Sequence, residues 1–241
     1  MGMKRGDLLY EGKAKKIYRT EDPDVVWVEY KDDATAFNGE KKGSITGKGE
    51  WNNRISIHFF EYLGRHGVAH HLVKSLSATE QLARKVTILP VEVVVRNRAA
   101  GSLAKRLGLE EGLVLTQPVV EFYYKNDDLG DPLINEDHIR LLQLAEDQQL
   151  AQIREEALRI NELLIKRMDA CGIILVDFKL EFGVDTAGKL LLADEISPDT
   201  CRFWDRETKK PLDKDRFRRD LGEVEDAYRE IWTRLGGTAH V

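Results

Sequence analysis

Cysteine is almost absent from this chain. The two present, Cys171 and Cys201, form neither a C-x-x-C pair nor a framework of bridges, which excludes a disulfide scaffold, fits a reducing compartment and leaves a thiol mechanism little support. No apolar run approaches the roughly 20 residues of a membrane span, and the N-terminal MGMKRGDLLYEGK lacks the apolar core of a signal peptide. A soluble cytoplasmic protein without a membrane partner is expected. Long basic runs are also missing, which sets nucleic acid aside as a main partner. Among six histidines, His58, His66, His70, His71, His138 and His240, no set has metal-ligand spacing, and His70-His71 reads as a strand pair. There is no internal repeat and no low-complexity tract.

What is there is globular: 241 residues, 42% apolar and 33% charged, enough for one large domain or two small ones. The net charge of -5 hides an asymmetry, with 15 Lys and Arg against 12 Asp and Glu over residues 1 to 88, and 22 against 30 over residues 89 to 241. A basic N-terminal part beside an acidic C-terminal part suits phosphates on one side and a metal on the other. The almost unbroken apolar stretch Val86 to Val95, interrupted by Pro90, has the character of a buried crossing between them. The expected boundary therefore divides residues 1-88 from 89-241.

The most informative stretch is LVDFKLEFGVDTAGKLLLADEISPDTCR, residues 175 to 202. In a strand, alternation puts Asp177, Lys179 and Glu181 on one face and Val176, Phe178, Leu180 and Phe182 on the other. Asp185 to Gly188 is turn chemistry and Leu190 to Ala193 a second strand, so the unit reads as a hairpin. Folding back at Ala187-Gly188 sets Glu181 opposite Asp194. Opposed carboxylates repel unless a cation sits between them, and oxygen-only ligands suit magnesium held with a phosphate. A solvated edge strand carrying an ion-pair network is the competing reading.

Earlier in the chain, Leu8 to Tyr10, Ala14 to Tyr18 and Val25 to Tyr30 predict an antiparallel meander. Gly12 at its first bend would let backbone approach a ligand, with Lys13 and Lys15 as phosphate cations; taken alone, the stretch reads more readily as an exposed lysine-rich hairpin. Residues 31 to 48 predict a long polar loop. A helix is expected from Glu50, with Trp51, Ile55, Phe59, Tyr62 and Leu63 inward and Gly64 with Gly67 at its end. Glu92, Arg96 and Arg98 share a strand face, and Ala99 to Ser102 leads into a short helix carrying Leu103 and Leu107. Arginines beside Ser102 make an anion site or else satisfy acidic neighbours. Val119 to Tyr124 predicts a strand followed by a polar segment around Lys125 and Asp131. Asp147 to Cys171 predicts a long amphipathic helix with Leu150, Ile153, Ala157, Ile160, Leu164 and Met168 on one stripe. Leu221, Val224, Tyr228, Ile231 and Leu235 predict a terminal helix.

Four blocks, LYEGKAKKIY, LPVEVVVRNRAAGS, LVDFKLEFG and ADEISPDTCRFWD, together resemble the phosphoribosylaminoimidazole-succinocarboxamide synthases, the SAICAR synthetases of purine biosynthesis, from about Tyr10 to Leu235. The resemblance implies an α+β fold with a kinase-like ATP lobe of antiparallel strands and a larger α+β substrate lobe. It implies an ATP-dependent ligase that joins L-aspartate to the carboxylate of carboxyaminoimidazole ribonucleotide (CAIR) through an acyl phosphate, with Mg2+ as cofactor and a homodimer as the assembly. Carried over by position, Gly12, Lys13, Ala14 and Lys15 look like the ATP loop, with Lys85 and Lys125 also on the nucleotide. Glu181 and Asp194 look like the magnesium ligands. Arg96, Ser102 and Arg202 are similar to residues that hold the CAIR phosphate, with Glu92, Asp131 and Arg218 on the substrate side and Asp177 and Lys179 near the reacting groups. From the residues alone, a small-molecule kinase, or a nucleotide-sensing module without turnover, would use the same parts.

Overall fold

The computed structural model describes residues 3-36 and 41-237. Residues 37 to 40 of the predicted loop, and His240, lie outside the described residues. The first sheet is a meander extended by a later hairpin: β1 (Arg5–Glu11), β2 (Lys15–Thr20), β3 (Val25–Tyr30), β6 (Leu72–Ser75) and β7 (Glu80–Arg84), in the order β1-β2-β3-β7-β6, all pairs antiparallel. Alternation on β3 is strict, with Val26, Val28 and Tyr30 buried. The predicted 31 to 48 loop is instead partly a two-stranded ribbon, β4 (Asp33–Ala36) with β5 (Lys41–Ser44). A polar, glycine-punctuated composition hides such a ribbon, because it has no apolar face to bury.

The second sheet runs β10 (Leu133–Ile134), β9 (Val114–Tyr124), β8 (Thr87–Arg98), β11 (Ile173–Val184), β12 (Leu190–Ala193), with β13 (Cys201–Asp205) also on β11. Pro90 is tolerated inside β8 because the β8/β11 ladder shifts register between Glu181 and Gly183, opposite that proline. Helices cover this sheet. The stripe Leu150, Ile153, Ala157, Ile160, Leu164 and Met168 of α4 (Asp147–Asp169) is buried as expected. Trp51, Ile55, Phe59 and Leu63 of α1 (Lys48–Arg65) join the same core as Tyr228 and Ile231 of α6 (Val224–Arg234).

Several local expectations change. Gly64 lies inside α1 rather than at its end, and a β-carbon there would stand 2.5 Å from His70 Nε2. His70 makes only an isolated bridge with Leu192. Leu107 of α2 (Gly101–Leu107) and Leu221, which precedes α6, are exposed, since a short helix or turn lies over the surface with one side toward water. Val176 is buried but outside the main core cluster. A bulge between Leu175 and Asp177 in the β11/β13 ladder switches the parity, so Ile173 and Leu175 join Phe178, Leu180 and Phe182 in that cluster.

The hairpin register also differs from expectation. Glu181 pairs with Ala193, not Asp194, and the turn is a five-residue connection between Val184 and Leu190. The Asp185 carboxylate accepts the Ala187 and Lys189 N–H groups at 3.0 and 2.8 Å and centres the turn on Ala187. The glutamate that stands opposite Glu181 is Glu92, on β8.

Candidate active site

One edge of β11 is shared by two strands. β13 pairs with residues 173 to 178 and β12 with residues 181 to 184. Between them the Lys179 N–H is taken by the Thr200 carbonyl at 2.8 Å. The segment from Asp194 to Thr200 therefore leaves the sheet beside Lys179. Its first residue has φ 58°, a left-handed backbone that aspartate tolerates better than most residues. Simple alternation would send Asp194 to the face away from Glu181; the backbone turn brings its carboxylate back to within 3.9 Å of Lys179 Nζ.

A cleft of about 450 Å³ opens here, and Gly12, Lys13, Ala14, Lys15, Glu92, Lys125, Asp131, Lys179, Glu181 and Asp194 all line it. Lys15 reaches across from the first sheet to Asp194 at 2.5 Å and Glu195 at 2.9 Å. Burial works against its charge, but those two carboxylates outweigh it and hold the ammonium's pKa well above the ordinary lysine value. Lys179 bridges Glu181 at 2.5 Å and Glu92 at 2.9 Å, and the same balance raises its pKa. Lys125 adds a contact to Glu181 at 2.9 Å. Lys13 is exposed at the lip, paired with Asp127 at 2.8 Å. Asp131 accepts the Asn126 N–H at 2.9 Å, ordering the Lys125 loop.

A smaller cavity of about 220 Å³ adjoins the cleft and shares Lys179, Asp199 and Thr200 with it. Arg96, Asp177, Arg202 and Arg218 line it. Asp177 is buried between Arg96 at 2.8 Å and Arg202 at 2.9 Å. Arg96 further donates to Glu121 at 2.6 Å, Ser102 Oγ at 3.0 Å and Tyr123 OH at 3.1 Å. Both guanidinia are thus satisfied by acidic neighbours and still face the cavity. Arg202 and Arg218 hold Asp215 at 2.9 and 2.6 Å. A β-carbon on Gly101, which has φ 52°, would collide with the Arg202 guanidinium, so glycine admits that guanidinium to the start of α2. Ser102 lies one layer back, reaching the cavity through Arg96, and Lys85 is exposed between β7 and β8, lining neither cavity.

Sequence reasoning missed Glu195, Asp199 and Lys214 in the cleft wall, and the buried Asp213 behind Arg202. The first two lie inside the block ADEISPDTCR and were findable there. Asp213 accepts the Phe203 and Asp215 N–H groups at 2.8 and 2.7 Å. Burial, then the Asp215 carboxylate, push its pKa up to about 7, against the pull of the Asp215 N–H, Arg202 and Arg218. Between the ordinary carboxylate value and that raised one, the folded chain holds a proton that the unfolded chain has lost. Stability from this group is complete below the ordinary value and is lost as pH rises through about 7. The expected slope in that window is at most about 1.4 kcal/mol per pH unit. Asp213→Asn, which does not ionise, should flatten the Tm-against-pH curve between about pH 4 and 7; an unchanged slope would remove Asp213 as its source.

The donor set fits a hard cation. Two carboxylates, Glu181 on β11 and Asp194 just past the end of β12, face one cleft, and magnesium takes one or two protein carboxylates together with substrate phosphates. Among the described residues, no group of three or more His, Cys, Asp or Glu has the arrangement of an all-protein metal cage. Among the described residues, no helix is long and apolar enough to cross a membrane.

A family model described as SAICAR synthetase matches residues 8–235. The phosphoribosylaminoimidazole-succinocarboxamide synthase of Brevibacillus brevis is 64% identical over 239 residues, covering 99% of this chain and all of the relative. The crystal structure of the synthase of that name from Ehrlichia chaffeensis superimposes with a TM-score of 0.94 at 46% identity, over 97% of this chain and 100% of that one. A SAICAR synthetase in complex with ADP gives 0.94 at 49% identity, over 98% of this chain and 100% of that one. With the fold, the paired cavities and these likenesses in agreement, the chain belongs to the SAICAR synthetase family.

Proposed function

We propose that this chain is the ATP-dependent carbon-nitrogen ligase that joins L-aspartate to the carboxylate of CAIR, giving SAICAR, ADP and phosphate. The observation that carries this reading is the junction of the two cavities at Lys179. A lysine- and carboxylate-lined cleft suits a nucleotide triphosphate, and an arginine-lined cavity beside it suits a substrate with its own phosphate. Residues 1-88 supply the ATP lobe and residues 89-241 the substrate lobe, in a cytoplasmic homodimer.

Lys13 and Lys15 sit over the ATP phosphates, and Arg96, Arg202 and Arg218 hold the CAIR phosphate. Glu181 and Asp194 would hold Mg2+, which would supply charge neutralisation for the triphosphate. Lys179 steadies charge where the γ-phosphorus leaves the β–γ bridging oxygen and bonds to a CAIR carboxylate oxygen, releasing ADP. The aspartate amine then attacks the acyl carbon; the carbon–oxygen bond to phosphate breaks, phosphate departs with the electron pair, and the nitrogen loses a proton. Positioning and charge neutralisation suffice for this sequence, with no protein nucleophile. Asp177, locked between two guanidinia, positions rather than transfers protons.

Phosphate release from ATP is expected to require CAIR and L-aspartate together. ADP formation with CAIR alone, with the γ-phosphoryl group kept on a stable phosphorylated product and no phosphate released, would support a kinase instead.

A further inference from the structure

Asp199 stands in the wall shared by the two cavities, and its carboxylate gathers three donors from distant parts of the chain. Lys48 Nζ, at the first residue of α1, lies 2.9 Å from Oδ2; Lys214 Nζ lies 3.3 Å from the same oxygen; Tyr228 OH, on α6, donates to Oδ1 at 2.7 Å. The Lys48 and Tyr228 side chains are 1% and 0% exposed. Burial raises the Asp199 pKa, but the Lys214 and Lys48 ammoniums and the Tyr228 hydroxyl together hold it well below the usual carboxylate range. The carboxylate is therefore ionised at neutral pH.

Lys214 differs from the two buried donors. It lines the cleft, and its side chain is 14% exposed. An ammonium carries three N–H donors, and Lys214 Nζ has one carboxylate partner among the described residues, at the longest distance of the three. Arg202 and Arg218 have N–H groups to spare but face the second cavity, and the other cations of the cleft are committed. Lys15, Lys125 and Lys179 each contact at least two carboxylates, and Arg96 has four acceptors. Lys13 has one but lies at the outer lip. Within the cleft, next to the Asp199 wall that both cavities share, Lys214 is the cation with donors left for an incoming anion.

We propose that Lys214 binds a carboxylate of the amino-acid substrate, an aminodicarboxylate, and that Asp199 with Lys48 and Tyr228 positions it. This rests on the ligase reading above. The amine must reach the acyl carbon where the nucleotide cleft meets the CAIR cavity, and Asp199 and Thr200 mark that place. A dicarboxylate brought there needs a cation not already spent on ATP, metal or the CAIR phosphate. Lys214 meets that requirement, and its tether to Asp199 fixes the ammonium without saturating it.

Steady-state kinetics on Lys214→Met separates the possibilities. The KM for L-aspartate is expected to rise about tenfold or more, the loss of one charge-assisted hydrogen bond, with KM for ATP and CAIR within about twofold. Lys214→Arg should recover part of the loss. An unchanged aspartate KM, or an equal rise in all three constants, would overturn the assignment. Should Lys214→Met fail to fold, acetylation of the wild-type enzyme by an amine-reactive ester, read by mass spectrometry, tests the same contact. L-aspartate should protect Lys214 selectively, and absence of protection counts against it. Failure of the wild type to form SAICAR is a separate result, which overturns the ligase reading as well.

Discussion

Lys179→Met is expected to lower kcat by about 10²–10³-fold, the scale seen when one preorganised donor to developing charge is removed. Lys179 lines both cavities, so on the proposed reading it is the cation that faces phosphoryl donor and acceptor together. It also stands between Glu181 and Glu92, which face each other across β11 and β8. Opposed like charges destabilise a strand pair, so the variant exposes a second readout. Without that ammonium only Lys125 is left between the two carboxylates, and they repel. The stability deficit of the variant should then shrink on acidification, which removes carboxylate charge, and grow as pH rises. Thermal melts of both proteins from about pH 4.5 to 8 check the sign. Full activity with a pH-independent deficit would mean that Lys179 only packs.

The sequence was most legible where one periodicity governs a whole element. The α4 stripe from Leu150 to Met168 and the buried face of β3 follow directly from 3.6- and 2-residue repeats. Along β11 the same rule places Asp177, Lys179 and Glu181 toward the site and Phe178, Leu180 and Phe182 in the core. It fails where the chain departs from the repeat: at the bulge beside Val176, and at the turn that Asp185 centres on Ala187. Asp194 reaches the cleft although strand register sends it elsewhere, because one left-handed residue turns it. The expected pairing with Glu181 was thus wrong, while the two carboxylates do share a cleft. Nothing local to Lys48, Asp199, Lys214 or Tyr228 announces their cluster, since four separate segments meet only in the folded chain. Arg96 shows the same limit: its spacing marked a cation, but Glu121 and Tyr123 reach it from the neighbouring strand.

Glu181→Gln and Asp194→Asn should each cost on the order of 10²-fold or more in kcat, because charge neutralisation at a phosphoryl group is worth several kcal/mol. Both changes are isosteric, so shape is preserved while an anionic oxygen is lost. Glu181 is buried between Lys125 and Lys179. Burial raises the Asp194 pKa, but Lys15 and Lys179 outweigh it and hold the carboxyl well below its ordinary value. Asp194 is therefore deprotonated at neutral pH and ready for a hard cation, without waiting on a proton. Neutralising either residue leaves lysine charge that repels a divalent ion, so the defect should lie in metal affinity before it lies in nucleotide affinity. Calorimetric titration of ADP at increasing magnesium separates the two. The magnesium needed for half-maximal enhancement should rise at least about 10-fold, while metal-free ADP binding holds or improves as the cleft loses negative charge. Wild-type turnover at low magnesium in either variant would sink the assignment of that residue as a ligand.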